Sequence, residues 1–190
     1  MCRFALFVGR LSPEKGPQLL PAAWKLLQVG IPLRIAGDGP LFEPLHTTLA
    51  NSNQKAIELL GRCCSERIAT LMSGSRFQVV PSIWYEGFPM VVVEAFSYGL
   101  PVIASRLGSL AELIKDGVTG LHFESGNAAD LATKVAWAWA HPEEMTRMGR
   151  NARAEFELKY EASTNFKMLM EIYQRASVIS SASSGAQVAS

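Results

Sequence analysis

The chain has 190 residues, enough for one α/β domain with a sizeable core or two very small domains. Its 18 Lys and Arg against 17 Asp and Glu leave a net charge of +1, which excludes recruitment of nucleic acid or an anionic membrane surface by a general basic field. No apolar run approaches the roughly 18 residues that cross a bilayer, and no signal-peptide pattern opens the chain, so the expectation is a soluble, cytosolic domain. Membrane association through other parts of a longer protein is left open.

Taken in chain order, short apolar runs alternate with segments of helical period, the pattern of a mainly parallel sheet covered by helices. Phe4 to Val8 reads as a strand, followed by a loop and a helix with Leu20, Ala23, Trp24 and Leu27 on one stripe, ended by Gly30. Leu33 to Ala36 gives a second strand, Gly37-Asp-Gly-Pro40 a turn, and Leu41, Leu45 and Leu49 the apolar positions of a helix that Asn51-Ser-Asn53 breaks. A third strand lies near Ile57 to Leu60. Ser65 caps a helix carrying Ile68, Leu71 and Met72, and Phe77 to Val80 forms a strand.

Pro89 fits the first position of the next helix, because it lacks an N–H and has a preset φ, and Gly99 stops it. Pro101 to Ala104 begins another strand, Ser109 to Ile114 a short helix, Lys115-Asp-Gly117 a turn, and Gly120 to Phe123 a last strand. Helices follow from Ala128 to Ala140, from Glu143 with Met145, Met148 and Ala152 on one face, and around Phe166, Leu169, Met170 and Tyr173. Residues 1–176 are read as one Rossmann-like three-layer α/β/α domain and residues 177–190, small and polar, as a flexible tail. The core begins almost at Met1 with no preceding linker, which suggests a piece of a longer protein.

Cys63 and Cys64 are adjacent and Cys2 is remote, so no disulfide framework or metal-ligand spacing emerges; the thiols read as reduced, small apolar residues. His46, His122 and His141 are scattered, and no Asp-x-Asp pair is present. No metal site is expected.

Two loops carry candidate chemistry. Gly9-Arg-Leu-Ser-Pro-Glu-Lys-Gly16 follows the first strand and offers Arg10 and Lys15, a planar fork and a movable point charge suited to a diphosphate. Its alternative is a solvated loop whose charges face water. Glu86 lies in the loop after Val80, and Glu94 lies inside an apolar helix; it is the only charge between Glu86 and Arg106. Apolar neighbours on nearly every side predict that Glu94 is buried and needs specific partners: backbone amides, a neighbouring Arg, or ligand hydroxyls. In an open α/β sheet the crevice lies beyond the carboxyl ends of the strands, where the Arg10, Gly37 and Glu86 loops converge. The helix entered at Phe88-Pro89 points backbone N–H groups at that crevice, with Gly87 permitting close approach. A nicotinamide-dependent dehydrogenase is a third reading: Asp38 stands at the end of the second strand where its acidic residue belongs, but the glycines do not support it, since no Gly-x-Gly follows the first strand and Gly37-Asp-Gly lacks the third Gly.

Gly9-Arg10, Lys15-Gly16, Ala36-Gly-Asp-Gly-Pro40, Leu60-Gly61, Pro81-Ser82 and Glu86-Gly-Phe-Pro followed by Glu94-Ala, with Gly99-Leu-Pro-Val-Ile-Ala-Ser105, Glu112 and Asp116-Gly-Val-Thr-Gly120, together resemble the carboxy-terminal domain of retaining glycosyltransferases of family 4. The likeness covers roughly residues 4 to 176. It implies the GT-B architecture, with two Rossmann-like domains facing each other across a cleft, and only the nucleotide-sugar-binding half represented here. It further implies that Arg10 and Lys15 contact the diphosphate, Glu86 the sugar and Glu94 the ribose, assisted by Gly9 and by the backbone of Gly87, Phe88, Pro89 and Met90. Arg62 and Cys63 occupy the place of the base; family members usually have a β-branched residue where Cys63 stands. The implied reaction is metal-independent transfer of a sugar from a nucleoside diphosphate with retention, onto an acceptor held by an amino-terminal domain. The chain departs from the family at Leu107-Gly-Ser-Leu-Ala-Glu112, where Ser109 replaces a glycine. The competing expectation is a nucleotide-sugar-binding module that needs a separate partner chain for catalysis.

Overall fold

The computed structural model describes residues 3–52, 54–161 and 170. The chain divides into two units, residues 1–153 and 154–190, and the first carries the whole sheet. Six strands, β1 (Ala5–Val8), β2 (Leu33–Ala36), β3 (Ile57–Gly61), β4 (Phe77–Val80), β5 (Val102–Ser105) and β6 (Gly120–Phe123), form one sheet in the order β3-β2-β1-β4-β5-β6. Every neighbouring pair is parallel. Parallel neighbours require crossovers, which helices α1 (Leu19–Lys25), α2 (Phe42–Asn51), α3 (Ser65–Gly74), α4 (Met90–Ser97) and α5 (Gly108–Leu113) supply; α6 (Ala128–Ala140), which follows β6, packs with α1 on one face. The last described helix is α7 (Pro142–Lys159). In the second unit Lys159 Nζ lies 2.6 Å from Glu155 Oε1.

Alternation along the strands sorts the layers. Ala5, Phe7, Leu33, Ile35, Phe77, Val79, Ile103, Leu121 and Phe123 join Leu20, Ala23 and Trp24 of α1 and Leu131 and Val135 of α6 in one buried cluster. The intervening positions, among them Leu6, Val80, Val102 and Ala104, are buried on the other face. Leu71 and Met72 of α3, Val92, Val93 and Phe96 of α4 and Leu110 of α5 are buried as well. Two buried faces explain why the strands read as continuous apolar runs.

Several boundaries differ from expectation. Helix α1 ends at Lys25, five residues before Gly30, because the Leu26 and Leu27 amides turn back to Ala23 and Trp24 and the Trp24 indole donates to the Ile31 carbonyl at 2.8 Å. The cap position of α3 is Cys64, whose carbonyl accepts from Ile68 N at 3.0 Å; Ser65 is the first helical residue and makes no capping bond. Pro89 also stands one position outside its helix. Its ψ of 84° is not helical, and its carbonyl accepts from Val92 N at 2.9 Å, so α4 starts at Met90. Gly99 does close α4, with φ +62° immediately after the C-cap Tyr98. Pro101 stays outside β5, since it has no N–H for the ladder, although its carbonyl accepts from Gln78 N at 3.0 Å. Cys64 is exposed, so it does not serve as a packed apolar residue.

The helix expected around Phe166 to Tyr173 and the tail from Ser177 lie outside the described residues, apart from Met170, which is helical. Among the described residues no helix is long and apolar enough to cross a membrane.

Candidate functional site

Strand β1 pairs with β2 on one side and β4 on the other, so the chain leaves the sheet in opposite directions after these strands and opens a crevice above their carboxyl ends. Backbone bonds stitch the loops around it. Gly9 N donates to Ala36 O (3.1 Å), Leu11 N to Asp38 O (2.9 Å), Gly37 N to Gly61 O (2.9 Å) and Ile83 N to Glu14 O (3.0 Å). Such close approach demands glycine. A Cβ on Gly37, at φ +155°, would fall 1.9 Å from Gly9 O, and one on Gly16, at φ +66°, would fall 2.0 Å from Pro81 O.

The central pair joins the loops after β1 and β4. Lys15 Nζ is 2.6 Å from Glu86 Oε2, with side-chain exposures of 34% and 10%. Lys15 is placed by a short 3-10 helix, Pro13–Lys15, closed by left-handed Gly16. Glu86 is fixed at two further points: the Ser82 hydroxyl donates to Oε1, and the Ser109 hydroxyl donates to the Glu86 carbonyl at 2.8 Å. Beside this pair the Ser12 hydroxyl donates to Glu14 at 2.5 Å. That bond, followed by Glu14's own backbone N–H, holds the Glu14 carboxyl below its usual range, with smaller contributions from Arg10 and Lys15.

Two recesses flank the loop after β1. One, of about 290 Å3, is lined by Lys15, Ser82, Glu86, Phe88, Pro89 and Met90; the other, of about 500 Å3, by Gly37, Asp38, Arg62 and Cys63. Gly9 and Arg10 line both. The structure thus gathers ten of the eleven residues singled out in the sequence around one crevice or its rim. Gly87 is on the rim, exposed, with open space where a Cβ would stand.

Glu94 corrects the expectation of burial. It is exposed and lines neither recess, and although its carbonyl accepts from the Ser97 hydroxyl at 2.7 Å, its carboxylate has no hydrogen bond or ion pair among the described residues. At about 3.6 residues per turn it lies on the side of α4 opposite Val92 and Phe96, the residues that face the sheet. The Met90 amide is also occupied: it donates to Phe88 O at 2.9 Å across a tight turn at Pro89, whose φ of −79° and ψ of 84° are close to those of an inverse γ-turn.

Sequence reasoning missed Ser82 and Ser109 as supports of Glu86. The signal was present in Pro81-Ser82 at the end of β4 and in Ser109 itself, which looked like a departure and supplies a hydrogen bond a glycine could not make. Among the described residues no group of three His, Cys, Asp or Glu is arranged to hold a metal ion.

The chain and its fold have counterparts among known proteins. Residues 2–155 match the family model described as glycosyl transferases group 1. An uncharacterized glycosyltransferase of Methanocaldococcus jannaschii is 35% identical over 174 residues, covering 92% of this chain and 48% of the relative. The D-rhamnosyltransferase WbpZ of Pseudomonas aeruginosa is 33% identical over 162 residues, covering 84% of this chain and 42% of the relative. The structure of HepE of Anabaena in complex with UDP-glucose superposes with a TM-score of 0.81 at 25% identity, covering 91% of this chain and 49% of that one. A sucrose-phosphate synthase of Thermosynechococcus elongatus gives 0.82 at 26%, covering 93% and 46%. The chain spans about half the length of the curated relatives it matches. Its parallel sheet and flanking helices are the Rossmann-like α/β/α fold of GT-B glycosyltransferases, and the chain belongs to the group 1 glycosyl transferases.

Proposed function

We propose that this chain is the carboxy-terminal, donor-binding domain of a retaining glycosyltransferase of the family 4 type, and that the crevice above β1 and β4 takes a nucleoside diphosphate sugar. The observation that carries the reading is the 2.6 Å Lys15–Glu86 pair beside Arg10, at the junction of two recesses. A cation pair next to a carboxylate suits a ligand with an anionic centre and hydroxyl groups on one arm.

In this reading Arg10 and Lys15 receive the diphosphate, with Gly9 letting it approach the backbone. Arg62 and Cys63 border the recess for the base, and Phe88, Pro89 and Met90 the recess for the sugar, with Gly87 at its rim. Glu86, steadied by Ser82 and Ser109, orients the sugar hydroxyls. Glu94, its carboxylate exposed and unengaged, is assigned to the ribose. The bond between the anomeric carbon and the diphosphate breaks with its electron pair on the diphosphate. An acceptor hydroxyl bonds to that carbon on the same face, and its proton passes to the departing phosphate oxygen. Negative charge grows on the diphosphate in the transition state, and fixed cations there stabilise it more than the ground state. That charge is offset by the two side chains, so the reading requires no metal or other cofactor. A UDP-glucose complex of a fold neighbour supports the ligand class.

Acceptor contacts are assigned to an amino-terminal domain, in keeping with the half-length match to the relatives. The same observation favours a second reading, a binding module that becomes catalytic only with a separate partner chain. Calorimetry of the 190-residue chain with UDP, GDP, ADP and their glucose conjugates tests donor binding. Saturable binding of one nucleotide class supports it, and failure of the whole panel overturns it. Sugar transfer to added acceptors by the chain alone would exclude both the half-site assignment and the partner-dependent module.

A further inference from the structure

At the amino ends of the central strands, away from the crevice, the segments entering β1, β4 and β5 and residues 142–153 of α7 border an open recess of about 580 Å3. Four arginines, Arg3, Arg76, Arg150 and Arg153, line it, and no Asp or Glu does. They come from three separate stretches of chain, so the concentration of positive charge is a product of folding.

Three of the four are held in place. Arg3 Nη1 donates to Ser75 O at 3.0 Å, and Arg153 Nη1 donates to Ser97 O. Arg76 Nη1 donates to Trp139 O at 2.8 Å while its guanidinium lies 4.2 Å over the Trp139 ring. A guanidinium carries about five N–H donors, so one anchoring bond on Arg3 or Arg76 orients the group and leaves other donors for a ligand. Arg150, in α7 and exposed, has a side chain with no hydrogen bond or ion pair among the described residues. Burial, and after it the neighbouring charge of Arg3, holds the Arg76 guanidinium below its usual range. With no acidic residue in its lining, the recess presents a net positive wall to an entering anion.

We propose that this arginine-walled recess binds a phosphate-bearing ligand, with Arg150 as its principal unengaged contact. Planar guanidinium forks match phosphate oxygens in pairs, and a phosphate monoester or diphosphate brings more negative charge than a single carboxylate. The volume exceeds that of a bare phosphate and is in the range of small-molecule sites, so the phosphate is one part of a larger molecule, either dissolved or a lipid headgroup.

The test uses inorganic pyrophosphate in a Lys15→Ala background, which weakens the crevice as a competing anion site. Pyrophosphate should bind that chain with an affinity that falls as salt rises. Adding Arg150→Gln should weaken binding about tenfold while leaving the anion-free melting temperature unchanged, and Arg150→Lys should lie between. Vesicles of phosphatidylcholine with and without phosphatidic acid form the second arm. Arg150-dependent retention on phosphatidic acid without pyrophosphate binding assigns the ligand to a lipid headgroup. Binding unaffected by Arg150→Gln, binding of neither probe, or a lower melting temperature with unchanged affinity would overturn the proposal.

Discussion

Lys15 and Glu86 are 71 residues apart in the chain and 2.6 Å apart in space, and they close the loop after β1 onto the loop after β4. The contact spans the position where β1 parts from β4, so one ion pair ties together both walls of the crevice. Lys15→Ala should lower the turnover of sugar transfer about a hundredfold, as removal of one preorganised charge-stabilising donor does. Steady-state assay of an enzyme carrying the domain checks it, and unchanged turnover would remove Lys15 from the proposed chemistry.

Glu94 permits a cleaner separation of binding from folding. Because its carboxylate is exposed and without a partner among the described residues, Glu94→Ala should leave stability within about 0.5 kcal/mol of the parent. It should weaken nucleoside diphosphate binding about tenfold if its carboxylate holds the ribose. Unaltered affinity by calorimetry would withdraw that assignment.

Glycines around the crevice divide into structural and approach positions. Gly16→Ala meets both a left-handed φ of +66° and the Pro81 carbonyl 2.0 Å from the new methyl, so it should lose more than about 2 kcal/mol in urea denaturation. Gly87→Ala meets nothing within 4 Å and should be near neutral for folding while weakening donor binding. Equal destabilisation by the two would contradict the loop geometry.

Gln78 is fully buried in β4, and neither its amide oxygen nor its nitrogen has a partner among the described residues. An unmet buried polar group costs about 1–3 kcal/mol, and Met has nearly the same shape. Gln78→Met should therefore raise stability by about 1 kcal/mol, read as a higher urea midpoint with an unchanged slope.

The Ser12–Glu14 bond makes a pH signature. The folded-state pKa of Glu14 lies below its ordinary value of 4.5, so the stability it contributes is present above that value and is lost as pH falls through the depressed one. Ser12→Ala removes the largest cause and should return the Glu14 carboxyl toward 4.5 in an NMR titration. An unmoved titration would assign the depression to the backbone and the neighbouring cations.

The α/β class, the order of strands and helices, and the loops that bear Arg10, Lys15 and Glu86 were legible from local pattern, because a strand buried on both faces and a helix with an apolar stripe each announce themselves within a few residues. Boundaries slipped where one hydrogen bond decided them, as at Pro89 and Ser65. Glu94 shows the limit of composition as a guide. Its apolar neighbours forecast burial, yet a helix packed on one side still has an outward line, and Glu94 occupies it.

Sequence alone therefore determined the element types and the residues able to meet an anionic, hydroxyl-rich ligand, since those follow from short-range periodicity and side-chain chemistry. Tertiary structure alone decided that Ser82 and Ser109 hold Glu86, that the Met90 amide is committed to a turn, and that four arginines from three segments share one recess. Those relationships depend on how crossovers bring distant stretches to the same edge of the sheet, and spacing along the chain carries no record of that distance.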